Sequence, residues 1–294
     1  MEGCPGDVRV YIGAAESETL PLKILEYTIL ETTQLRVDFF PMMNLKCPLP
    51  RDRRNQPGTN FSFYRFMVPA LAGFRGRAIY MDSDMLVFRD IGELWKKPFD
   101  GATIVAVRDS SGGRVRPSVM VLDCGALDWR IEKIVADMDR GMFTYDDLMY
   151  ELCIVPADKV SGTLDPEWNS FDEYLPGKTA LLHYTIMHTQ PWISTRHKHL
   201  DIWMAAMFRA LSAGYISLDM VRDQVEKRFV RPSLLFQAES GILDPTELPA
   251  DILMKDKGFV APYRRLAKNK LLDRLWRRSR RLLSRLRGPR RRRS

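Results

Sequence analysis

Asp82 and Asp84 stand two residues apart in "AIYMDSDMLVF", residues 78–88, a run otherwise almost wholly apolar. Like charges this close repel, and burying either without a partner is costly. The compensation is a cation, a phosphate-bearing ligand with its own cation, or solvent at a strand end. A D-x-D tripeptide alone is as well explained by a turn. Here the flanks decide: Ala78–Met81 before and Met85–Phe88 after read as buried strand, so the pair sits at a strand edge and not on a solvated loop. Two carboxylates in such a place suit a hard divalent ion such as Mn²⁺ or Mg²⁺, which usually keeps substrate phosphates as further ligands.

The elements that must position this pair alternate along the chain. Residues 8–13, "VRVYIG", read as a first strand. A helix follows over 18–33, with Leu22, Ile24, Leu25, Ile29 and Leu30 near helical spacing and Pro21 near its start. Residues 34–42 form a second strand, 45–60 a Pro- and Arg-rich loop, and 61–74 a helix. After the D-x-D strand, Asp90 caps a short helix. Strands are expected over 102–109 and 118–124, helices over 129–141 (stopped by Gly141) and 145–153, and a last strand near 180. This alternation argues an α/β domain with a mainly parallel sheet, whose ligands bind beyond the carboxyl ends of the strands. Residues 200–214 are helical in pattern and carry no chemical signature.

Composition narrows the classes. Hydrophobic residues make up 45% of the 294, enough for a sizeable core and against global disorder. No stretch of 18 apolar residues occurs, and "MEGCPGDVRVYIG" has neither the basic nor the apolar region of a signal peptide. Cys4, Cys47, Cys124 and Cys153 are scattered, without a C-x-x-C pair, and read as reduced thiols. The expected location is cytoplasmic. The net charge of +8 hides two parts. Residues 264–294 hold fifteen of the 45 Lys and Arg and one of the 37 Asp and Glu, leaving a mildly acidic body ahead of a strongly basic tail.

"FSFYRFMVPALAGFRGRAIYMDSDMLVFRDIGELW", residues 61–95, resembles the central block of glycosyltransferase family 8: an aromatic-Arg helix, a strand ending in D-x-D, then D-I-x-x-L. A second family block, a strand ending in His and then Pro-Trp, is matched by "LLHYTIMHTQPW", residues 181–192, and the family's first strand and helix by residues 8–29. The resemblance covers roughly residues 8–195. It implies a GT-A type, Rossmann-like mixed sheet flanked by helices, spanning 1–250, with a linker and basic amphipathic helical tail over 251–294. The implied activity is a metal-dependent, retaining transfer of a hexose from a UDP-sugar to a glycan or lipid-linked acceptor. Asp82, Asp84 and His183 match the ligands of a Mn²⁺-type ion, Arg65 an arginine facing the donor, and Ile12, Gly13, Ala14 and Ala15 the nucleotide-binding end of the first strand. Ser83 lies between the two aspartates on the same substrate face. Asp146 and Asp147 fall where the family has an Asp-Gln pair near the reacting carbon, although acids at a helix start also serve the helix dipole.

The chain departs from the family pattern in two places. Arg116-Pro117-Ser118 stands where Asn-Ala-Gly is common, and Gln190 stands where a Lys precedes Pro-Trp. His188 and Gln190 are then the candidates for the phosphate contact. Other classes remain. A phosphatase of the haloacid-dehalogenase type also uses D-x-D, but with a small residue or Thr soon after and near the chain start; here Met85, Leu86 and Val87 follow. An inactive, carbohydrate-binding family member would share the same blocks. A nucleic-acid-binding protein would explain the tail, but not the acidic body. In the tail, Leu272, Leu275, Trp276, Leu283 and Leu286 share one helical face, with Ser279 among them and Arg274, Arg277, Arg278, Arg281 and Arg285 around it. That is the pattern of an interfacial helix on an anionic membrane surface, which makes the expected location peripheral on the inner face of the membrane.

Overall fold

The computed structural model describes residues 8–109 and 114–266. Residues 1–7 and the basic tail from 267, with the interfacial helix expected there, lie outside the described residues. The elements run β1 (Val8–Gly13), α1 (Thr19–Thr32), β2 (Val37–Met42), α2 (Val68–Leu71), β3 (Arg77–Asp82), β4 (Met85–Val87), α3 (Gly92–Trp95), β5 (Ile104–Arg108) and β6 (Val115–Asp123). Then come α4 (Ile131–Asp139), α5 (Tyr145–Glu151), β7 (Val160–Ser161), β8 (Ser170–Phe171) and β9 (Leu181–His183). The chain continues through α6 (Leu200–Ser212), α7 (Leu218–Glu226), α8 (Ser233–Ser240), α9 (Ala250–Asp256) and α10 (Pro262–Leu266).

Six strands form the main sheet in the order β2-β1-β3-β6-β5-β7. Alternation along the strands buries both faces. On β1, Tyr11 joins the core on one side while Val8, Val10 and Ile12 join the other; on β3, Ala78 and Tyr80 oppose Ile79 and Met81. Helix α1 covers the second face with Leu22, Leu25 and Ile29. Helices α4 and α5 cover the first with Ile131, Ile134, Met138 and Leu148. A third core, under α6 to α8, gathers Leu20, Ile24, Tyr184, Trp192 and Trp203.

The main sheet is mixed, as the resemblance implies: three of its five pairings, β1 with β2, β1 with β3 and β5 with β7, are parallel, and two, β6 with β3 and with β5, are antiparallel. Only residues 109–114 join β5 to β6, too few for the crossover that parallel neighbours need. The run 78–88 is likewise two strands and not one. β3 belongs to the main sheet, whereas β4 leaves it for a small second sheet, ordered β4-β9-β8. Residues 60–67, expected in a helix over 61–74, wind as a 3-10 turn and continue only briefly as α2. Residues three apart share a side in that winding, which sends Phe63 and Phe66 together into the core. Asp90, expected to cap the short helix, lies one residue before the N-cap Ile91 of α3, and its Oδ1 accepts from Gly92 N–H at 2.8 Å and from the Thr33 hydroxyl at 2.6 Å. Gly141 ends α4 in the left-handed region, φ 77°, also as expected. Packing continues past residue 250, where the sequence suggested a boundary. Asp256 accepts from the Ser233 N–H at 2.9 Å, and Ile252 and Ala261 are buried.

Candidate metal centre

The turn Asp82-Ser83-Asp84 is the crossing point between the two sheets. β3 ends at Asp82 with Gly13 of β1 as its neighbour, and Ser83 N–H donates one step further to Gly13 O at 3.1 Å. β4 then pairs antiparallel with β9 in the register Met85↔His183, and Tyr184 N–H donates to Asp84 O at 2.9 Å. This ladder carries His183 from about a hundred residues away to the side of Asp84. One ligand atom from each of Asp82, Asp84 and His183 lies within 4.8 Å of the others.

The imidazole is held in one orientation. His183 Nδ1 lies 3.1 Å from Asn169 Oδ1, which can only accept, so Nδ1 carries the hydrogen. Asn169 is itself fully buried and fixed by its amide nitrogen, which donates to Ser118 Oγ at 2.9 Å. His183 Nε2 then faces Asp84 Oδ1 at 3.0 Å with a lone pair. Asp84 Oδ1 is buried without a hydrogen-bond donor. Two acceptors facing each other need a cation between them. Two ligands at right angles on an ion about 2.1 Å from each stand about 3.0 Å apart, so the spacing and the donor set, two carboxylates and an imidazole, fit Mn²⁺ or Mg²⁺. Burial would push the His183 pKa down, but Asp84 and then Asp82 override it and push it up.

Each aspartate has its own holder. Gln190 Nε2 donates to Asp84 Oδ2 at 3.0 Å and to Tyr184 O at 2.9 Å. Its loop is pinned in turn by Arg231, fully buried, whose Nε donates to Pro191 O at 2.9 Å and whose N–H donates to Trp192 O at 2.8 Å. Thus α8 and the segment before it support the site, although 200–260 showed no chemical signature. Arg65 Nη2 reaches both Asp82 oxygens, at 3.0 and 3.2 Å, and the Tyr80 hydroxyl donates to Asp82 Oδ1 at 2.6 Å. Burial raises the Asp82 pKa against the opposing pull of Arg65. Arg65, expected to face a donor, is therefore spent on a ligand aspartate. Gly13 has a similar internal role. A Cβ there would come within 2.4 Å of the Tyr80 hydroxyl, so its smallness gives room to Tyr80. Ile12 and Ala14 are buried in the core beside it.

Glu18 stands in no sequence motif of the site. Its Oε2 accepts from Ala15 N–H at 2.9 Å and from Ser83 Oγ at 3.0 Å, which draws a third carboxylate to the D-x-D turn. Burial and then the charge of Asp84 push its pKa up to about 8. Its only sequence signal was a Glu three residues after Ala15, placed to bond back to that residue's N–H. Ala15, Glu18, Phe61, Gln190, Trp192 and Tyr263 line a cavity of about 110 Å³ beside the turn. A larger open groove, about 540 Å³, lies against β2, where Lys23, Glu26 and Tyr215 already satisfy one another. It brings together no ligand set like that of the D-x-D turn.

The remaining candidates are not among the three clustered ligand residues. Asp147 is committed to a capping box, accepting from Thr144 N–H at 2.8 Å while Thr144 Oγ1 accepts from Asp147 N–H at 3.2 Å. Asp146 is exposed in the same first turn, and neither belongs to the metal-type cluster. His188 is exposed on the turn ahead of Gln190.

Among known proteins, residues 18–141 match glycosyl transferase family 8. The chain is 29% identical over 104 residues to Protein CDI of Arabidopsis thaliana, a match covering 34% of this chain and 40% of that protein's length. The glycosyltransferase GlyE of Streptococcus pneumoniae TIGR4 superposes with a TM-score of 0.53 at 14% identity, over 72% of this chain and 65% of that one. Its apo form gives the same score over 76% and 64%. At that identity the superposition establishes the fold alone. Residues 18–141 thus match glycosyl transferase family 8 over less than half of the chain, and the fold is of the GT-A type.

Proposed function

We propose that the chain is a metal-dependent, retaining glycosyltransferase that moves a hexose from a UDP-sugar to a glycan or lipid-linked acceptor. The observation that carries this reading is the facing pair of acceptors, His183 Nε2 and Asp84 Oδ1 at 3.0 Å, at the carboxyl end of β3 in a family 8 domain. Asp82, Asp84 and His183 would hold Mn²⁺ or Mg²⁺, which when bound supplies Lewis-acid stabilisation of the departing diphosphate. The chain's own groups prepare that place. Asn169 fixes the imidazole tautomer, Arg65 and Tyr80 orient Asp82, and Gln190 orients Asp84. The cavity beside Ala15 and Glu18, with Phe61 and Trp192 as apolar walls, takes the part of the donor next to the D-x-D turn. His188 is the side chain of the loop before Gln190 that reaches toward the donor phosphates. Asp146, whose carboxylate is not committed to the helix cap, is the acid offered to the reacting carbon.

The test is a panel of nucleotide sugars scored for UDP release. Release in the presence of Mn²⁺, lost on chelation and regained on re-addition, is the expected result. Turnover that ignores the chelator would remove the metal from the reaction. A chain that neither binds UDP with Mn²⁺ nor turns over any nucleotide sugar would be a non-catalytic family member.

A further inference from the structure

Among the described residues Arg116 is a cation with no ion-pair partner, and it lies beside the candidate metal centre. It sits on β6, where the strand departs from regular pairing: Ala106 of β5 faces Met120 but Val107 faces Arg116, so Pro117, Ser118 and Val119 form an excursion. Pro117 has no N–H to give the ladder, and such bulges re-aim side chains. The excursion turns Ser118 toward Asn169 and lays the Arg116 guanidinium over the ring of Phe171, 4.3 Å from its centroid. Phe171 in turn meets the His183 ring edge-on, with centroids 5.2 Å apart. β6 also runs antiparallel to β3 in the register Met81↔Val119, so its residues before Ser118 lie beyond the end of β3, on the side of the D-x-D turn.

The guanidinium has five N–H donors. Among the described residues its one hydrogen bond is from Nη1 to Asn169 O, at 3.3 Å, and it makes no ion pair. Arg65, the other arginine of the site, is neutralised by Asp82. The charge count points the same way. Two carboxylates, a divalent ion and Arg65 leave one positive charge, and Glu18 cancels it when ionised. A sugar-linked nucleoside diphosphate brings two negative charges. Gln190, which stands nearest to Asp84 on the other flank, is neutral and already used by Asp84 and Tyr184.

We propose that Arg116 binds an anionic group of the donor substrate beside the Asp82–Asp84–His183 cluster, either its diphosphate or a carboxylate on its sugar. This rests on the reading of the chain as a nucleotide-sugar transferase. A half-buried guanidinium held flat on Phe171 presents its free N–H edge as a fork that matches either oxyanion.

The experiment measures binding of UDP, UDP-glucose and UDP-glucuronate by calorimetry in saturating Mn²⁺, and of Mn²⁺ alone, to the full chain and to Arg116→Gln and Arg116→Lys. A loss of about tenfold for all three nucleotides in Arg116→Gln, partly regained in Arg116→Lys, assigns the contact to the diphosphate. The same loss for UDP-glucuronate alone assigns it to a sugar carboxylate. In both cases Mn²⁺ affinity and thermal stability stay those of the parent. Unchanged binding of all three nucleotides overturns the proposal. So does an equal loss of Mn²⁺ affinity, which would show Arg116 acting through Asn169 and His183. A parent chain that binds no UDP ligand removes the proposed function itself, whereas tight parent binding indifferent to Arg116→Gln removes only the role of Arg116.

Discussion

The side chains that make contact with the D-x-D turn divide into ligands and holders, and the holders are the sharper test. Asn169 touches no candidate ligand position except through His183 Nδ1. Replacing it with Leu keeps its bulk but frees the imidazole to place its hydrogen on Nε2. Loss of such a partner typically weakens metal affinity about 10- to 100-fold. Mn²⁺ titration of Asn169→Leu should show that loss with the fold intact, and parent-like affinity would mean that Asn169 does not set the tautomer. Glu18 gives a pH signature. Its folded pKa, about 8, lies above the ordinary carboxyl value of 4.5, so between these values the folded chain holds a proton that the unfolded chain has lost. The protonated carboxyl therefore stabilises the metal-free fold fully below about 4.5, and this contribution is lost as pH rises through about 8. Chelated protein should melt lower at pH 8 than at pH 6, and Glu18→Gln should flatten the difference. An equally steep profile in Glu18→Gln would assign it to other groups.

At the level of elements, one backbone crossing does most of the positioning. β3 and β1 bring Gly13 against Tyr80, while β4 and β9 bring His183 against Asp84. Gly13→Ala inserts a Cβ 2.4 Å from the Tyr80 hydroxyl, so Tyr80 must leave Asp82 or the strands must part. Overpacking of this kind costs about 1–3 kcal/mol. Denaturant melts should show that cost, and it should shrink in Gly13→Ala combined with Tyr80→Phe, which removes the clashing oxygen. A single variant as stable as the parent would mean that the crossing is not tight. Arg231 shows why a segment with no motif of its own still belongs to the site. It is buried with its pKa lowered to about 10 by desolvation, and it fastens the Pro191–Trp192 turn that carries Gln190.

For the whole molecule, the question is how an acidic body and a basic tail divide the work. Among the described residues no helix is long and apolar enough to cross a membrane. The tail reading, an interfacial helix on an anionic surface, concerns residues outside those described and stands as a proposal. Basic residues near an anionic leaflet contribute about 1 kcal/mol each, attenuated by salt. Vesicle flotation should therefore carry the full chain on anionic lipid at low salt. A chain ending at Leu266 should stay behind, while its Mn²⁺-dependent UDP binding remains that of the full chain. Equal flotation of the two would take membrane docking away from the tail.

The sequence by itself determined the α/β character, most strands and helices, the D-x-D edge and its pairing with a distant histidine through the order of family blocks. These are local or ordered features: apolar period, turn residues and spacing survive in a linear string. It did not determine that "AIYMDSDMLVF" splits between two sheets, because an apolar run reads alike whether its neighbours continue or change. It pointed Arg65 outward, toward a donor, because a charged residue gives no local sign of its partner, and the partner Asp82 lies seventeen positions on. Glu18, Asn169 and Arg231 were silent for the same reason: each acts through a hydrogen bond to a residue brought near only by packing. Tertiary structure decided which carboxylates meet, which arginine is spent and which is left over, since desolvation and pairing are properties of a three-dimensional neighbourhood.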